Sequence, residues 1–348
     1  MKTKVENENS RKTKVEELDD WSSEEWKRQR NRLKAKRLAE KKRKRRKLFY
    51  RILGIATGMI LLLFVKELDL GKRVGQFLSQ KVMQLGLEDK SKNKELLYES
   101  EYADFLEGYQ PQVFEEEEVF VKLKELSKQY KELEPIYEER ESYPIKLLSS
   151  LCNNPELTDY AKGYLDYQRG DKSVAKEVKL SREEEEQKYP LFLQWDKRWG
   201  YENYGDFTIA LSGCGPTTLS MAVVALTGDS SATPDKVAEY SMEAGYYVEG
   251  TGTAWSLMSE GCEHFGIKAE EIGLDEGVMK NLLDEEKVII CSMRPGDFTS
   301  VGHFVLIYAY DENGFWVNDS NCIYRSSRAW TYEELSNQIR ILWAYERI

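Results

Sequence analysis

Apolar positions along this chain follow three different patterns. From Ile52 to Val65 they are nearly continuous (ILGIATGMILLLFV), 14 residues that would span about 21 Å as a helix. Leu48, Phe49 and Tyr50 extend the run, and Arg51 can reach back to the headgroups. The 18 residues that result approach the ~30 Å of a bilayer core. Between 67 and 188 apolar residues recur instead at helical spacing, as in Phe120, Leu123, Leu126 and Tyr130, or Tyr160, Tyr164 and Tyr167. Acidic runs such as Glu115–Glu118 and Glu183–Glu186 separate them. That pattern predicts a solvated helical stalk or spacer.

From Tyr189 onward aromatic, glycine and β-branched residues rise, and the acidic runs thin out. A Trp- and Tyr-rich loop is expected over 190–208. A helix follows at Pro216–Thr227, opened by proline and stopped by Gly228. Further helices are expected near 234–244, 253–265 and 275–285. Strands come next at Val288–Ser292, Gly302–Tyr310 and Gly314–Asn318, the last two joined across Asp311-Glu312-Asn313-Gly314, a hairpin signal. Thr331–Ile339 reads as a helix and Ile341–Tyr345 as a closing strand. Helices followed by antiparallel strands make an α+β layout. The organisation expected is a basic tail (1–47), a membrane anchor (48–66), an acidic helical stalk (67–186) and a C-terminal domain (187–348) able to fold by itself.

Charge sharpens this division. Of 348 residues, 51 are Lys or Arg and 61 Asp or Glu, a net charge of −10. Residues 1–51 carry 20 basic and 9 acidic side chains, and the remainder carries 31 and 52. Fifteen of the basic residues lie within 27–51, against one end of the apolar run. The positive-inside rule places that flank in the cytoplasm, on anionic lipid, and everything after about residue 67 outside the cell. No small-x-small cleavage pattern follows Val65, so an uncleaved single-pass anchor is expected rather than a signal peptide. The acidic body argues against nucleic acid as a partner. With two histidines and no Cys-x-x-Cys, neither a metal site nor a cofactor is expected. Cys152, Cys262, Cys291 and Cys322 can be free or paired, and their spacing does not choose.

Three segments could carry chemistry. In Gly213-Cys214-Gly215-Pro216-Thr217 a cysteine stands between two glycines at a helix start. There the N-terminal dipole lowers a thiol pKa, although a small buried Cys at a tight turn fits equally well. His303 opens an apolar strand after Gly302 and could serve as the base for such a thiolate. Its rival, His264, lies in a helix beside Glu263, where surface or capping roles are more common. Asp319 ends the second hairpin strand and could orient the imidazole. Pairing Tyr310 with Phe315 puts Asp319 opposite Leu306, on the wrong face, so contact with His303 requires a β-bulge or another turn. Gln194, in Gln194-Trp195-Asp196-Lys197-Arg198-Trp199-Gly200, is the best side-chain donor for an oxyanion, alongside the Cys214 backbone N–H. The surrounding Trp and Asp could instead clamp the loop.

Together these segments resemble the C39-like peptidases, a branch of the papain-like cysteine peptidases. The resemblance rests on Gln194-Trp195-Asp196-x-x-Trp199-Gly200, Gly213-Cys214-Gly215-Pro216-Thr217, Gly302-His303-Phe304 and Asn318-Asp319, in that order. It spans roughly 187–346. A weaker match, Tyr143-Pro144-Ile145 through Asn154-Pro155-Glu156-Leu157, looks like a lead-in to such domains. The resemblance implies a papain-like α+β fold, with Cys214 as nucleophile, His303 as base, Asp319 as orienter and Gln194 as oxyanion donor. It also suggests a Gram-positive type of surface and a peptide or protein substrate. The function expected is a membrane-anchored extracellular cysteine hydrolase. The alternatives are a non-catalytic surface module that binds peptides or glycans, and an acyl transferase or cell-wall peptide hydrolase using the same triad.

Overall fold

Six antiparallel strands form the centre of the C-terminal half. They are β1 (Ile267–Glu271), β2 (Val288–Met293), β3 (His303–Asp311), β4 (Gly314–Asp319), β5 (Ala329–Trp330) and β6 (Ile339–Arg347), in the spatial order β1-β6-β2-β3-β4-β5. This computed structural model describes residues 99–348. The basic tail, the apolar run and residues 67–98 of the expected stalk lie outside the described residues. The helices that place the site are α1 (Glu116–Gln129), α2 (Ile145–Asn153), α3 (Thr158–Gln168), α4 (Cys214–Thr227), α5 (Pro234–Glu243), α6 (Glu276–Asp284) and the short α7 (Ile323–Ser326). Among the described residues, no helix is long and apolar enough to cross a membrane.

The sheet is covered on both sides. Val288, Ile290, Phe304, Leu306, Trp343 and Tyr345 pack with Leu219, Met221 and Val223 of α4. Ile289, Cys291, Val305, Ile307, Val317 and Leu342 pack on the other side with Met279 and Leu283 of α6. All of β2 is therefore buried, which is why Val288–Cys291 reads as a continuous apolar run rather than an alternation. Strand β1 was not expected. It is an edge strand paired only with β6, and Ile267 is its one buried residue. Its remaining Lys, Ala and Glu residues carry no strand signal. The helix expected over Thr331–Ile339 is shorter, Tyr332–Ser336, because Ile339 already belongs to β6.

The largest departure from expectation concerns residues 99–186. Instead of a solvated stalk, the described part of this segment packs α1, α2 and α3 around a core of its own. Val119, Leu123, Leu126, Leu147, Leu148, Leu151 and Tyr160 are all buried there. The helical spacing is as expected, but the apolar stripes face one another. The acidic runs lie at exposed helix starts, where carboxylates favour the helix dipole: Glu115 and Glu118 form a capping box on α1. This core also takes in Tyr201 and Ala210 from beyond residue 187. Tyr201 stacks between Tyr160 and Tyr167, each with ring centroids 4.7 Å away. Its hydroxyl donates to the Tyr160 carbonyl at 2.9 Å. A C-terminal domain cut at 187 would expose this surface. We therefore expect a 187–348 fragment to be less stable than 99–348 by several kcal/mol, at about 1.5–3 kcal/mol per large side chain exposed. Denaturant titration of the two fragments checks this, and equal stabilities would refute the shared core.

Candidate active site

Cys214 begins α4 between two glycines, and both are sterically required. A Cβ on Gly213 would lie 2.7 Å from the Ile209 carbonyl oxygen, and one on Gly215 would lie 2.5 Å from Thr253 Oγ1. The tight fit presents a half-buried thiol at the N-terminus of a 14-residue helix whose body is apolar and buried. The Thr218 hydroxyl donates to the Phe304 carbonyl at 3.1 Å, tying α4 to the strand that His303 opens.

The hairpin register decides whether Asp319 can reach His303. Tyr310 does pair with Phe315, as the turn predicts, but the ladder then shifts. Ala309 pairs with Trp316 and Ile307 with Val317, leaving Tyr308 as an extra residue, a β-bulge. Beyond the bulge Asp319 lies opposite Val305 rather than Leu306, which turns its side chain to the face of His303. His303 Nε2 is 2.6 Å from Asp319 Oδ1. The bulged Tyr308 rests against Tyr189, with ring centroids 5.1 Å apart. Asn318 Nδ2 donates to the carbonyls of Tyr189 and Pro190 at 3.2 and 3.0 Å, so the segment before Gln194 is held against the hairpin.

His303 and Cys214 line the same cleft, close enough for each to shift the other's pKa. Burial by itself would raise the Cys214 thiol. The hydrogen bond and charge of His303, with the N–H groups of Phe304 and Gly215, overcome this and hold it below its ordinary value. Burial likewise disfavours the imidazolium. The Asp319 charge and hydrogen bond, with Cys214 beside it, prevail and raise His303 to about 10. Both shifts act in the direction of a thiolate beside an imidazolium, with His303 Nε2 held 2.6 Å from the Asp319 carboxylate.

Asp319 is fully buried, and burial opposes its charge. The His303 charge and hydrogen bond, then Arg325 and the Asn321 N–H, outweigh that and hold the carboxyl below its usual range. Arg325 Nη1 donates to Asp319 Oδ2 at 3.3 Å, and the Asn321 N–H donates to Oδ1 at 2.8 Å. The sequence reading missed Arg325, which stands in an unremarkable Ile-Tyr-Arg-Ser stretch. Nor did it see what the lead-in does. Asn154 Nδ2 and Trp195 Nε1 both donate to the Asn321 carbonyl, the latter at 2.9 Å. The buried Glu156 carboxylate accepts from the Ile323 and Tyr324 N–H groups at 2.7 and 3.0 Å, capping α7 just after the Asp319 turn. The one available signal was Asn154-Pro155-Glu156 itself, polar residues amid an apolar pattern.

Gln194 also reaches the site. Its Nε2 donates to the Ala210 carbonyl at 2.8 Å and its Oε1 accepts from the Ser320 hydroxyl at 3.2 Å. An amide nitrogen carries two hydrogens, so one remains for an oxyanion. Gln194, Cys214 and His303 line one cleft of about 960 Å³, together with Thr253, Trp255 and the 299–304 loop. His264 is elsewhere: it is exposed and stacked on Tyr240 with centroids 4.0 Å apart. Residues 186–347 match the family model described as Peptidase_C39 like family. Over that segment the chain is similar to the C39-like peptidases. No curated protein and no solved structure matches the chain.

The other cysteines of the chain contrast with Cys214. All five are free, so none of the pairings left open by their spacing forms. Burial pushes Cys152 up to about 12 and Cys262 up to about 11, and it raises Cys291 and Cys322 as well. In the native protein at neutral pH, iodoacetamide should modify Cys214 far faster than the other four. The rate should persist at acidities where a free thiol has stopped reacting. Peptide mapping against pH checks both points; uniform labelling, or a Cys214 profile like that of free cysteine, would refute the thiolate.

Proposed function

We propose that the chain is a membrane-anchored cysteine hydrolase that cleaves peptide bonds outside the cell. The observation that supports this best is that Cys214 and His303 line one cleft of substrate size while buried Asp319 holds His303 Nε2 at 2.6 Å from behind. The Cys214 thiolate attacks the scissile carbonyl carbon, and the carbonyl π electrons move to oxygen. Gln194 Nε2–H and the Cys214 N–H at the start of α4 stabilise that oxyanion. When the C–N bond breaks, the His303 imidazolium passes its proton to the leaving amine and a thioester remains. Water then attacks the thioester, His303 accepts the water's proton, and the carboxylic acid leaves as the thiolate returns. Asp319 keeps Nε2 protonated and the ring aimed throughout. A module that only binds peptides or glycans has no use for a cleft thiol whose pKa a buried histidine holds down.

The two histidines provide the test. His303→Ala should lower turnover about 10²–10⁴-fold and, by leaving the buried Asp319 carboxylate with one partner fewer, also lower the melting temperature. Asp319→Asn should fall between it and the parent. His264→Ala should leave turnover near parental and cost at most ~1 kcal/mol of stability from the lost Tyr240 stack. Labelling by a broad cysteine-protease activity probe, with Cys214→Ala as the blank, reads all of these. Loss of labelling in His264→Ala but not in His303→Ala would refute the assignment.

The membrane anchor at 48–66, the lipid contact of the basic tail and the extracellular position of the domain are supported by the hydropathy and charge of residues 27–66. Protease shaving of intact cells should release the C-terminal domain. A domain resistant in intact cells but digested in a lysate would reverse the proposed orientation.

A further inference from the structure

The charge lining the catalytic cleft has the opposite sign to that of the body around it. Residues 99–348 carry 24 Lys or Arg against 47 Asp or Glu. The ionised groups that line the cleft beside the Cys214–His303 pair are Lys146, Arg294, Arg325, Arg340 and a single carboxylate, Asp206. Asp319 holds Arg325, so Arg325 belongs to the triad's support. Three cations then remain against one anion. Asp206 is already engaged, accepting from the Tyr247 hydroxyl at 2.9 Å and the Gly250 N–H at 3.4 Å.

The three cations come from separate parts of the fold. Arg294 follows β2 and Arg340 lies in β6, on either side of the paired residues Met293 and Ile339. Both are exposed, and among the described residues neither makes an ion pair; Arg340 lies over the Trp255 ring at 5.0 Å. Lys146 comes from α2 in the helical segment and packs 3.7 Å from the Phe207 ring centroid. Burial lowers its amine, while the charges of Cys214 and Asp206 act in the opposite direction, so Lys146 is within electrostatic reach of the reacting sulfur.

We infer that this cleft selects acidic peptides, segments bearing Asp, Glu or a free carboxylate near the scissile bond, over neutral and basic ones. The inference rests on the hydrolase reading above for its chemistry, and on the placement of Lys146, Arg294 and Arg340 for its selectivity. The acidic body does not cancel the effect. At physiological salt, charges more than about 8 Å away across solvent are largely screened, whereas the cleft walls concentrate the field of the cations that line them.

Iodoacetate and iodoacetamide probe the cleft directly, since both alkylate the same sulfur and differ by one negative charge. Their rate ratio at Cys214 would be measured on the full chain, for the parent and for Arg294→Gln/Arg340→Gln, at low salt and at high salt. The His303 imidazolium favours iodoacetate in both proteins, so the difference between them isolates the two arginines. The ratio should fall about tenfold in the double variant and toward the same value in the parent at high salt. Matching melting curves would confirm that the exposed substitutions leave the fold intact. An unchanged ratio in the variant would overturn the inference. A peptide library forms the second arm: cut sites should be enriched in Asp and Glu for the parent and lose that enrichment in the variant. Cut sites enriched in Lys and Arg would also overturn it. If no peptide is cut while the alkylation ratio behaves as expected, the hydrolase reading fails and the anion selectivity stands.

Discussion

The site is organised around one carboxylate with no access to water. Asp319 holds the His303 ring at 2.6 Å, and a lone charge in that position would cost several kcal/mol of desolvation. It is tolerated because its oxygens face the imidazolium, the Arg325 guanidinium and the Asn321 N–H. Arg325 in turn is buried and needs a counter-charge, which Asp319 supplies with help from Glu156. Removing any one of these groups leaves the others underpaired, so the charge state of His303, and through it that of Cys214, depends on the whole set.

This dependence gives the helical segment before residue 187 a physical role. Asn154 and Glu156 reach from the turn between α2 and α3 to the backbone of residues 321–324, beside the Asp319 turn. The same segment brings Lys146 to the cleft and shares its core with Tyr201 and Ala210. A segment that looks like an acidic spacer in one dimension forms one wall of the site in three. Its exposed carboxylates and its buried leucines belong to opposite faces of the same helices.

The cleft combines two electrostatic tasks that are separable in space. At the sulfur, the imidazolium and the α4 N-terminus stabilise a negative charge. Farther out, Arg294 and Arg340 create a positive rim using side chains that play no part in the buried set. Lys146 stands between the two, since it lines the cleft within electrostatic reach of the Cys214 sulfur.

The chain order Gln194, Cys214, His303, Asp319, the α4 start signal and the hairpin turn were legible in the sequence because each depends on local chemistry. Glycines flank a cysteine, proline opens a helix, and Asn-Gly closes a turn. The α+β layout followed from the order of the expected elements after residue 189, helices first and antiparallel strands afterwards. Local pattern could not decide whether Asp319 meets His303, because a single bulged residue, Tyr308, moves every later side chain of β4 to the other face of the pairing. Nor could it show that Glu156 and Arg325 support the same turn, since the contacts that Glu156 makes there span 167 and 168 residues. The apolar stripes of α1 to α3 specified helices with a side to bury; what they bury against is a property of the folded chain. Spacing along a sequence encodes the faces of each element, and only packing decides which faces meet.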